Sequence, residues 1–302
     1  MRKTHIPLLL AVMTCLAMPA VAQELTGTLK KIKDTGTLTI GHRDSSIPFT
    51  YYDDKQNVVG YALDLCLKVA DELKAELKLE NLKVNLNPVT SSTRIPLIAN
   101  GTVDIECGST TNNLERQKQA WFSPTYFVIT TKFVTKKSSP IKSFKDLKGR
   151  TVSTTAGTTS AKLLAEMNGK ESYGMNVISA KDHAEGFLLV ESGRAEAFVM
   201  DDILIYGLIA NAKAPGDYIL SDDWLTVEPY GALVRKDDQP FKDVVDRAFK
   251  KTFASGEGEA LYKKWFLSPI PPRGVNLNVP LSPLQKKIFE QPTDSGDPKD
   301  YQ

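Results

Sequence analysis

Leu97-Ile98-Ala99-Asn100-Gly101-Thr102-Val103-Asp104-Ile105 returns in pattern later in the chain as Leu189-Val190-Glu191-Ser192-Gly193-Arg194-Ala195-Glu196-Ala197. Each copy reads as the end of a helix, a glycine that closes it, and the start of a strand. The recurrence predicts two similar lobes. Continuing the register sets Ser109 against Asp201, each at the end of its strand. Ligands of open α/β sheets gather at the carboxyl ends of strands. Two equivalent strand ends, one per lobe, are therefore expected to face a shared cleft.

Strands alternate with helices on either side of these copies, the pattern of a parallel α/β sheet. Leu38-Thr39-Ile40 is a first strand, running into Gly41-His42-Arg43-Asp44-Ser45-Ser46. Leu63, Leu67, Ala70, Leu73 and Leu77 fall on one face of a helix from about Tyr61. Lys83 to Val89 reads as a second strand, after which Ser91 or Ser92 caps a short helix containing Arg94. Phe127 to Val134 is a long β-branched run. Phe241 to Phe253 and Glu257 to Phe266 are amphipathic helices separated by Ser255-Gly256. From Ser268 onward, Pro269, Pro271, Pro272, Pro280 and Pro283 predict an extended tail on the surface. Beyond about Gln291 the chain is polar and expected to be disordered.

Arg2 and Lys3 precede an apolar run from Ile6 to about Leu16, and Ala20-Val21-Ala22 gives a cleavage pattern before Gln23. These features predict a secretory signal peptide over residues 1–22, with an apolar run too short to span a membrane. Val12-Met13-Thr14 lacks the small residues expected before a lipidated Cys15, so soluble export is the reading. Cleavage would remove two of 38 basic side chains and none of the 36 acidic ones, leaving no net charge. Without a basic field, neither nucleic acid nor direct membrane insertion is expected. Cys66 and Cys107 survive cleavage and could pair in an oxidising compartment, but two buried free thiols are the preferred reading. Three histidines and no ligand-like spacing argue against a structural metal.

The stretch Gly108-Ser109-Thr110-Thr111-Asn112-Asn113-Leu114-Glu115-Arg116 reads as a strand end rich in small hydroxyls, followed by a helix start. Asn112 with Glu115 fits a capping box. Hydroxyls and carbonyls there suit an ammonium, and Arg116 offers a fork to a carboxylate. Asp201 or its neighbour Asp202 would balance an ammonium, since a strand end turns only one of them into the cleft. Gly157-Thr158-Thr159-Ser160 precedes a helix, whose first N–H groups bind carboxylates.

Several ordered stretches together carry a family resemblance. They are Gly41-His42-Arg43-Asp44-Ser45-Ser46-Ile47-Pro48-Phe49, Thr90-Ser91-Ser92-Thr93-Arg94-Ile95-Pro96 and Glu106-Cys107-Gly108-Ser109-Thr110-Thr111-Asn112-Asn113. Ser179-Ala180-Lys181-Asp182-His183, Met200-Asp201-Asp202, and Trp265-Phe266 followed by Pro269-Ile270-Pro271-Pro272 add to them. Over nearly all of residues 29–290 the chain resembles the periplasmic solute-binding proteins of polar amino-acid ABC importers, solute-binding protein family 3, and within it the members that take glutamate and aspartate.

The resemblance implies an α/β, two-lobed, periplasmic-binding-protein-like type II fold, each lobe a mainly parallel sheet flanked by helices. Residues 23–130 and 230–302 would form the first lobe and 131–229 the second, joined by two crossover strands and closing by a hinge. L-glutamate and L-aspartate become the expected ligands, the membrane permease of an ABC importer the expected partner, and the periplasm the location. A monomer without cofactor or metal is implied. Arg116, Ser109 and Thr111 match the family's Ser-x-Thr-x-x-x-x-Arg arrangement, with Arg116 on the α-carboxylate. Thr158 or Thr159 would close on the same group from the second lobe, and Asp201, helped by Ser109, would hold the α-ammonium. A side-chain carboxylate needs a second cationic pocket, for which Arg43, Ser91, Arg94 and His183 are the candidates. Phe49, Tyr51, Tyr61 and Tyr126 either wall the cleft or belong to the core. Two other functions use the same residues: an enzyme with His183 or Glu106 as acid or base, and a sensor acting through a membrane receptor.

Overall fold

Two sheets, built alike, organise residues 24–302, which are the residues described by this computed structural model; the expected signal peptide lies outside them. In the first sheet Thr37–His42 lies between Lys83–Pro88 and Ile105–Glu106, parallel to both. Leu233–Arg235 and then Ala120–Phe122 extend it with antiparallel pairing. In the second, Thr151–Thr155 lies between Asn176–Ala180 and Ala197–Asp201, again parallel to both. Phe127–Lys136 and Tyr218–Leu220 extend that sheet, also antiparallel. Each parallel trio has the same order, with its first strand in the middle. The repeated sequence pattern is thus a repeated topology. Gly101 and Gly193 close their helices with φ of 77° and 74°, a left-handed conformation that favours glycine.

The chain crosses between the sheets on two paired strands. Phe127–Lys136 pairs through its first residues with Val227–Tyr230, Phe127 opposite Tyr230, and through its later ones with Ala197–Asp201. Thr131 lies where the partner changes; its N–H and hydroxyl both bond to Thr226. Aromatic packing anchors the start of the first crossing and the end of the second. Phe49 meets Phe127 and Tyr230 at ring-centroid distances of 5.2 and 5.1 Å, and Phe127 stacks on Phe266 at 4.9 Å. Phe49, Tyr51, Tyr61 and Tyr126 are all buried in this core. The Tyr51 and Tyr126 hydroxyls donate to the carbonyls of Pro271 and Gly108. Among the described residues, no helix is long and apolar enough to cross a membrane.

Several local expectations are corrected. Leu67 of helix Tyr61–Leu77 is 38% exposed. The buried stripe centres on Cys66, Val69 and Leu73, which puts Leu67 just past its edge. Neither Ser91 nor Ser92 caps Arg94–Ala99; Thr93 holds that position, and its hydroxyl accepts from the Thr90 N–H. Arg116 begins a three-residue 3-10 turn, and it is Asn113, not Asn112, whose side chain accepts from the Arg116 N–H. Asn112 turns instead to the carbonyls of Asp294 and Ser295.

The end of the chain is docked, not disordered. Thr125 donates its N–H to the Thr293 carbonyl at 2.8 Å, its hydroxyl pairs with that of Tyr301, and Tyr301 is buried. Lys242, itself buried, pairs with Asp246 and Asp294. Composition hid this anchoring because most of it uses backbone carbonyls, which every residue carries.

The two thiols expected to stay free form a disulfide, Cys66–Cys107, joining helix Tyr61–Leu77 to the end of strand Ile105–Glu106. The helix lies on the sheet and brings two residues separated by 41 positions to a Cα distance of 6.4 Å, within bridging range. Closing such a loop stabilises a fold by about 2–4 kcal/mol. Replacing both cysteines by alanine should lower stability by about that amount in urea titration. Adding dithiothreitol should move the wild-type midpoint to that of the variant and leave the variant unchanged.

Candidate functional site

The carboxyl ends of the two parallel trios meet in one place, and three arginines are buried there. Arg43 follows strand Thr37–His42 and is 2% exposed; its Nε donates to the Val89 carbonyl at 3.1 Å. Arg94, also 2% exposed, opens its helix and sends Nη1 to the Ser109 carbonyl at 3.1 Å and to Thr110 Oγ1 at 2.5 Å. The Thr110 hydroxyl donates in turn to Glu106 Oε2 at 2.6 Å, so Arg94 reaches Glu106 through a threonine. Arg116 donates from Nη1 to the Thr111 carbonyl at 2.9 Å and from Nη2 to the Gly157 carbonyl at 3.2 Å. Burial, then the charge of Arg94, lowers Arg43 and Arg116 to about 10 each. Both therefore stay cationic at neutral pH. Glu228, Asp201 and Glu106 oppose the shift at Arg116.

Six buried side-chain atoms lack a hydrogen-bond partner among the described residues. Five are Arg43 Nη1, Ser91 Oγ, Arg94 Nε, Glu106 Oε1 and His183 Nε2; the sixth is Asn211 Oδ1. A buried polar atom without a partner costs about 1–3 kcal/mol, so the cluster has the character of a preformed polar subsite. His183 is the first residue of helix His183–Glu191, whose cap Asp182 accepts from the Glu185 N–H. Its Nδ1 pairs with Thr155 Oγ1 at 2.9 Å. Burial and the charges of Arg43 and Arg94 hold it well below the ordinary histidine value, so it is neutral at pH 7.

Asp201 ends strand Ala197–Asp201. Its Oδ2 accepts from the Tyr230 hydroxyl, and Ser160 Oγ lies 3.5 Å from Oδ1. Burial, then the charge of Glu228, pushes it up to about 7, against the pull of the Tyr230 hydrogen bond. Asp202 turns instead to Thr130 Oγ1 on the crossing strand.

The remaining predicted residues lie at the same place with their hydroxyls committed elsewhere. Ser109 donates to Ser46 Oγ at 3.0 Å. Thr158 caps helix Thr159–Lys170, accepting from the Ala161 N–H and donating to the Thr155 carbonyl. Thr111 and Thr159 both donate to Glu228 Oε2, at 2.7 and 2.8 Å. What Thr159 retains for a ligand is its backbone at the helix start, where N–H groups lack intrahelical acceptors.

Glu228 and Tyr230 escaped the sequence reading. They alternate on Val227–Tyr230 and so share one face of the return strand, a period-2 signal that was there to be found. Thr110 and Ser160 stand inside the marked strand-end and helix-start stretches without being singled out, and Thr155 carries no comparable mark.

The lobes touch across the site. The Arg116 Nη2 to Gly157 bond spans them, as do Ser45 Oγ to Asp182 Oδ1 at 3.4 Å and an ion pair between Glu115 and Lys162. Gly157, at φ 77°, sits so close to Ser92 that a Cβ there would fall 2.7 Å from the Ser92 nitrogen. This is a closed arrangement. An anion with two carboxylates and one ammonium matches the charges of the site: Arg116 and the helix start, the subsite of Arg43 and Arg94, and Asp201.

Comparison with known proteins agrees with this geometry. Residues 38–268 match the bacterial extracellular solute-binding proteins, family 3. The L-glutamate/L-aspartate-binding protein of Pseudomonas aeruginosa is 57% identical over 92% of this chain and 93% of its own length. The glutamate/aspartate import solute-binding protein of Escherichia coli is 48% identical over 88% of each. A crystal structure of a mutant of ArgBP from T. maritima superposes with TM-score 0.71 at 27% identity, covering 79% of this chain and 99% of that one.

The raised Asp201 makes the site costly to the fold. A carboxyl lifted from 3.8 to about 7 stabilises the folded state below 3.8, and that contribution is lost as the pH rises through 7. Asp201→Asn should therefore raise the unfolding free energy at pH 8 by on the order of 2–4 kcal/mol and leave it little changed at pH 4. Equal melting temperatures of the two proteins at pH 8 would show that Asp201 ionises without penalty.

Proposed function

The chain belongs to the bacterial extracellular solute-binding proteins, family 3, and from that membership we propose that it captures L-glutamate and L-aspartate between its lobes and delivers them to the membrane permease of an ABC importer. The observation that carries the ligand choice is the set of buried atoms without partners on Arg43, Ser91, Arg94 and His183. Two guanidinium N–H groups, a hydroxyl and a neutral imidazole can all donate to a side-chain carboxylate. Glu106, linked to Arg94 by Thr110, offsets part of the positive charge. That assignment leaves Arg116 and the helix start at Thr158 and Thr159 for the α-carboxylate. Asp201, with the Ser109 carbonyl, takes the α-ammonium. The 57% identical relative is named for the same two amino acids.

No covalent step belongs to this reading. In this reading His183, neutral and held by Thr155, and Glu106, held by Thr110, serve as fixed binding groups. The signal-like residues 1–22 and the family's extracellular character support a periplasmic carrier working beside its permease.

Isothermal titration of the mature protein, stripped of ligand by unfolding and refolded, tests the proposal. Tight one-to-one binding of glutamate and aspartate, with glutamine and histidine far weaker, is the expected result. Arg116→Ala and Asp201→Ala should each weaken both acidic ligands by about 2–5 kcal/mol, because each leaves a buried opposite charge unpaired. Arg94→Ala should cost glutamate far more than residual glutamine; equal losses would remove Arg94 from the side-chain pocket. Gly157→Ala should weaken every ligand together, by tenfold or about 1.4 kcal/mol at the least, since its methyl group blocks the approach of Ser92.

A further inference from the structure

We propose that Glu228 is a latch between the lobes: a positioning residue that touches no ligand and slows ligand release by joining both lobes to the return crossing strand once they have closed. The inference rests on the binding function proposed above and concerns how that site holds its ligand.

The geometry is that of a three-way junction. Glu228 lies on Val227–Tyr230 and is 6% exposed. One of its oxygens, Oε2, accepts from Thr111 at 2.7 Å and from Thr159 at 2.8 Å. Thr111 belongs to the strand end of the first lobe, and Thr159 to the helix start of the second. The other oxygen, Oε1, accepts at 2.8 Å from Thr226, the residue just before the crossing strand. A carboxylate with three hydroxyl donors is well satisfied, and hydrogen bonds to a charged group are roughly twice as strong as neutral ones.

Separating the lobes must break at least one arm. Thr159 moves with the helix of the second lobe, whereas Thr111 is held to the crossing strand by its bridge to Tyr230 and by the Asn112 N–H to Pro229 carbonyl bond. The arm that yields on opening is therefore the one to Thr159. Its loss leaves a buried carboxylate short of a donor until water enters the hinge.

The junction also settles what the two threonines do. Each hydroxyl has one proton, and each spends it on Glu228. Neither can then donate to the ligand's carboxylate, which is left to Arg116 and backbone N–H groups. The negative charge of Glu228 acts in addition on Arg116 and on Asp201. It thus faces both groups that would hold the α-carboxylate and the α-ammonium.

A latch made after closure predicts a split between rates. Stopped-flow association and dissociation of glutamate would be followed by intrinsic fluorescence for wild type, Glu228→Ala, Glu228→Gln and Thr159→Val. Glu228→Ala and Thr159→Val should speed dissociation by about 10–100-fold, with association changed by less than about threefold. Glu228→Gln keeps an acceptor oxygen for the two threonines but not the charge, and should release glutamate at a rate between those of the wild type and Glu228→Ala. Dissociation from Glu228→Ala and Thr159→Val at the wild-type rate would overturn the latch while leaving the binding function intact. A slowed association with unchanged release would do the same, placing Glu228 in encounter and not in closure. Failure of the wild type to bind either acidic amino acid would overturn the functional reading and the latch with it.

Discussion

Three guanidinium groups buried between two sheets are the constraint from which much else follows. Arg43, Arg94 and Arg116 are each at most 9% exposed, and a buried cation is tolerated only with acceptors and counter-charge close by. The strand-end carbonyls of Val89, Ser109, Thr111 and Gly157 supply acceptors. Glu106, Asp201 and Glu228 supply the counter-charge, and all three are buried. The positions of these groups explain why small hydroxyl residues crowd the strand ends. Thr110 relays a hydrogen bond from Arg94 to Glu106, while Thr111 and Thr159 bond directly to Glu228 and Thr155 to His183, all without adding charge.

Much of this was legible in the sequence because it rests on local rules. The glycine after each repeated helix marked where a strand begins, and the strand ends then named Ser109 and Asp201 as a pair. Arg43, Arg94 and His183 stood out only when the segments carrying them were taken together as a family pattern; each alone would pass for a surface charge or a helix start. The failures share a physical cause as well. Whether Cys66 meets Cys107, or whether the residues after Gln291 dock, depends on distances that only the assembled sheet sets. Placing the cap at Asn112 was a finer error: it alone has a glutamate three residues on, but the docked tail claims its side chain and leaves Asn113 to accept from the Arg116 N–H.

Glu228 and Tyr230 were hidden for a different reason. Their strand carries none of the glycines, arginines or clustered hydroxyls that mark the other segments of the site. Yet a strand that passes beside a cleft must turn alternate side chains toward it. Pro229 between them needs no N–H of its own to hold its neighbour, since its carbonyl accepts from the Asn112 N–H.

The covalent bond between Cys66 and Cys107 encloses more than a stretch of backbone. Within that loop lie Ser91, Arg94 and Glu106, which is most of what the first lobe contributes to the side-chain subsite; Arg43 stands just outside it, bonded to the Val89 carbonyl within. The disulfide closes that stretch of the subsite wall into a ring within the first lobe. His183 is the one member of the subsite that travels with the second lobe. The first lobe is then a fixed gauge and the second a moving jaw. In the proposed reading, the length and charge of an amino-acid side chain are measured against the gauge first, and closure ratifies a choice already made.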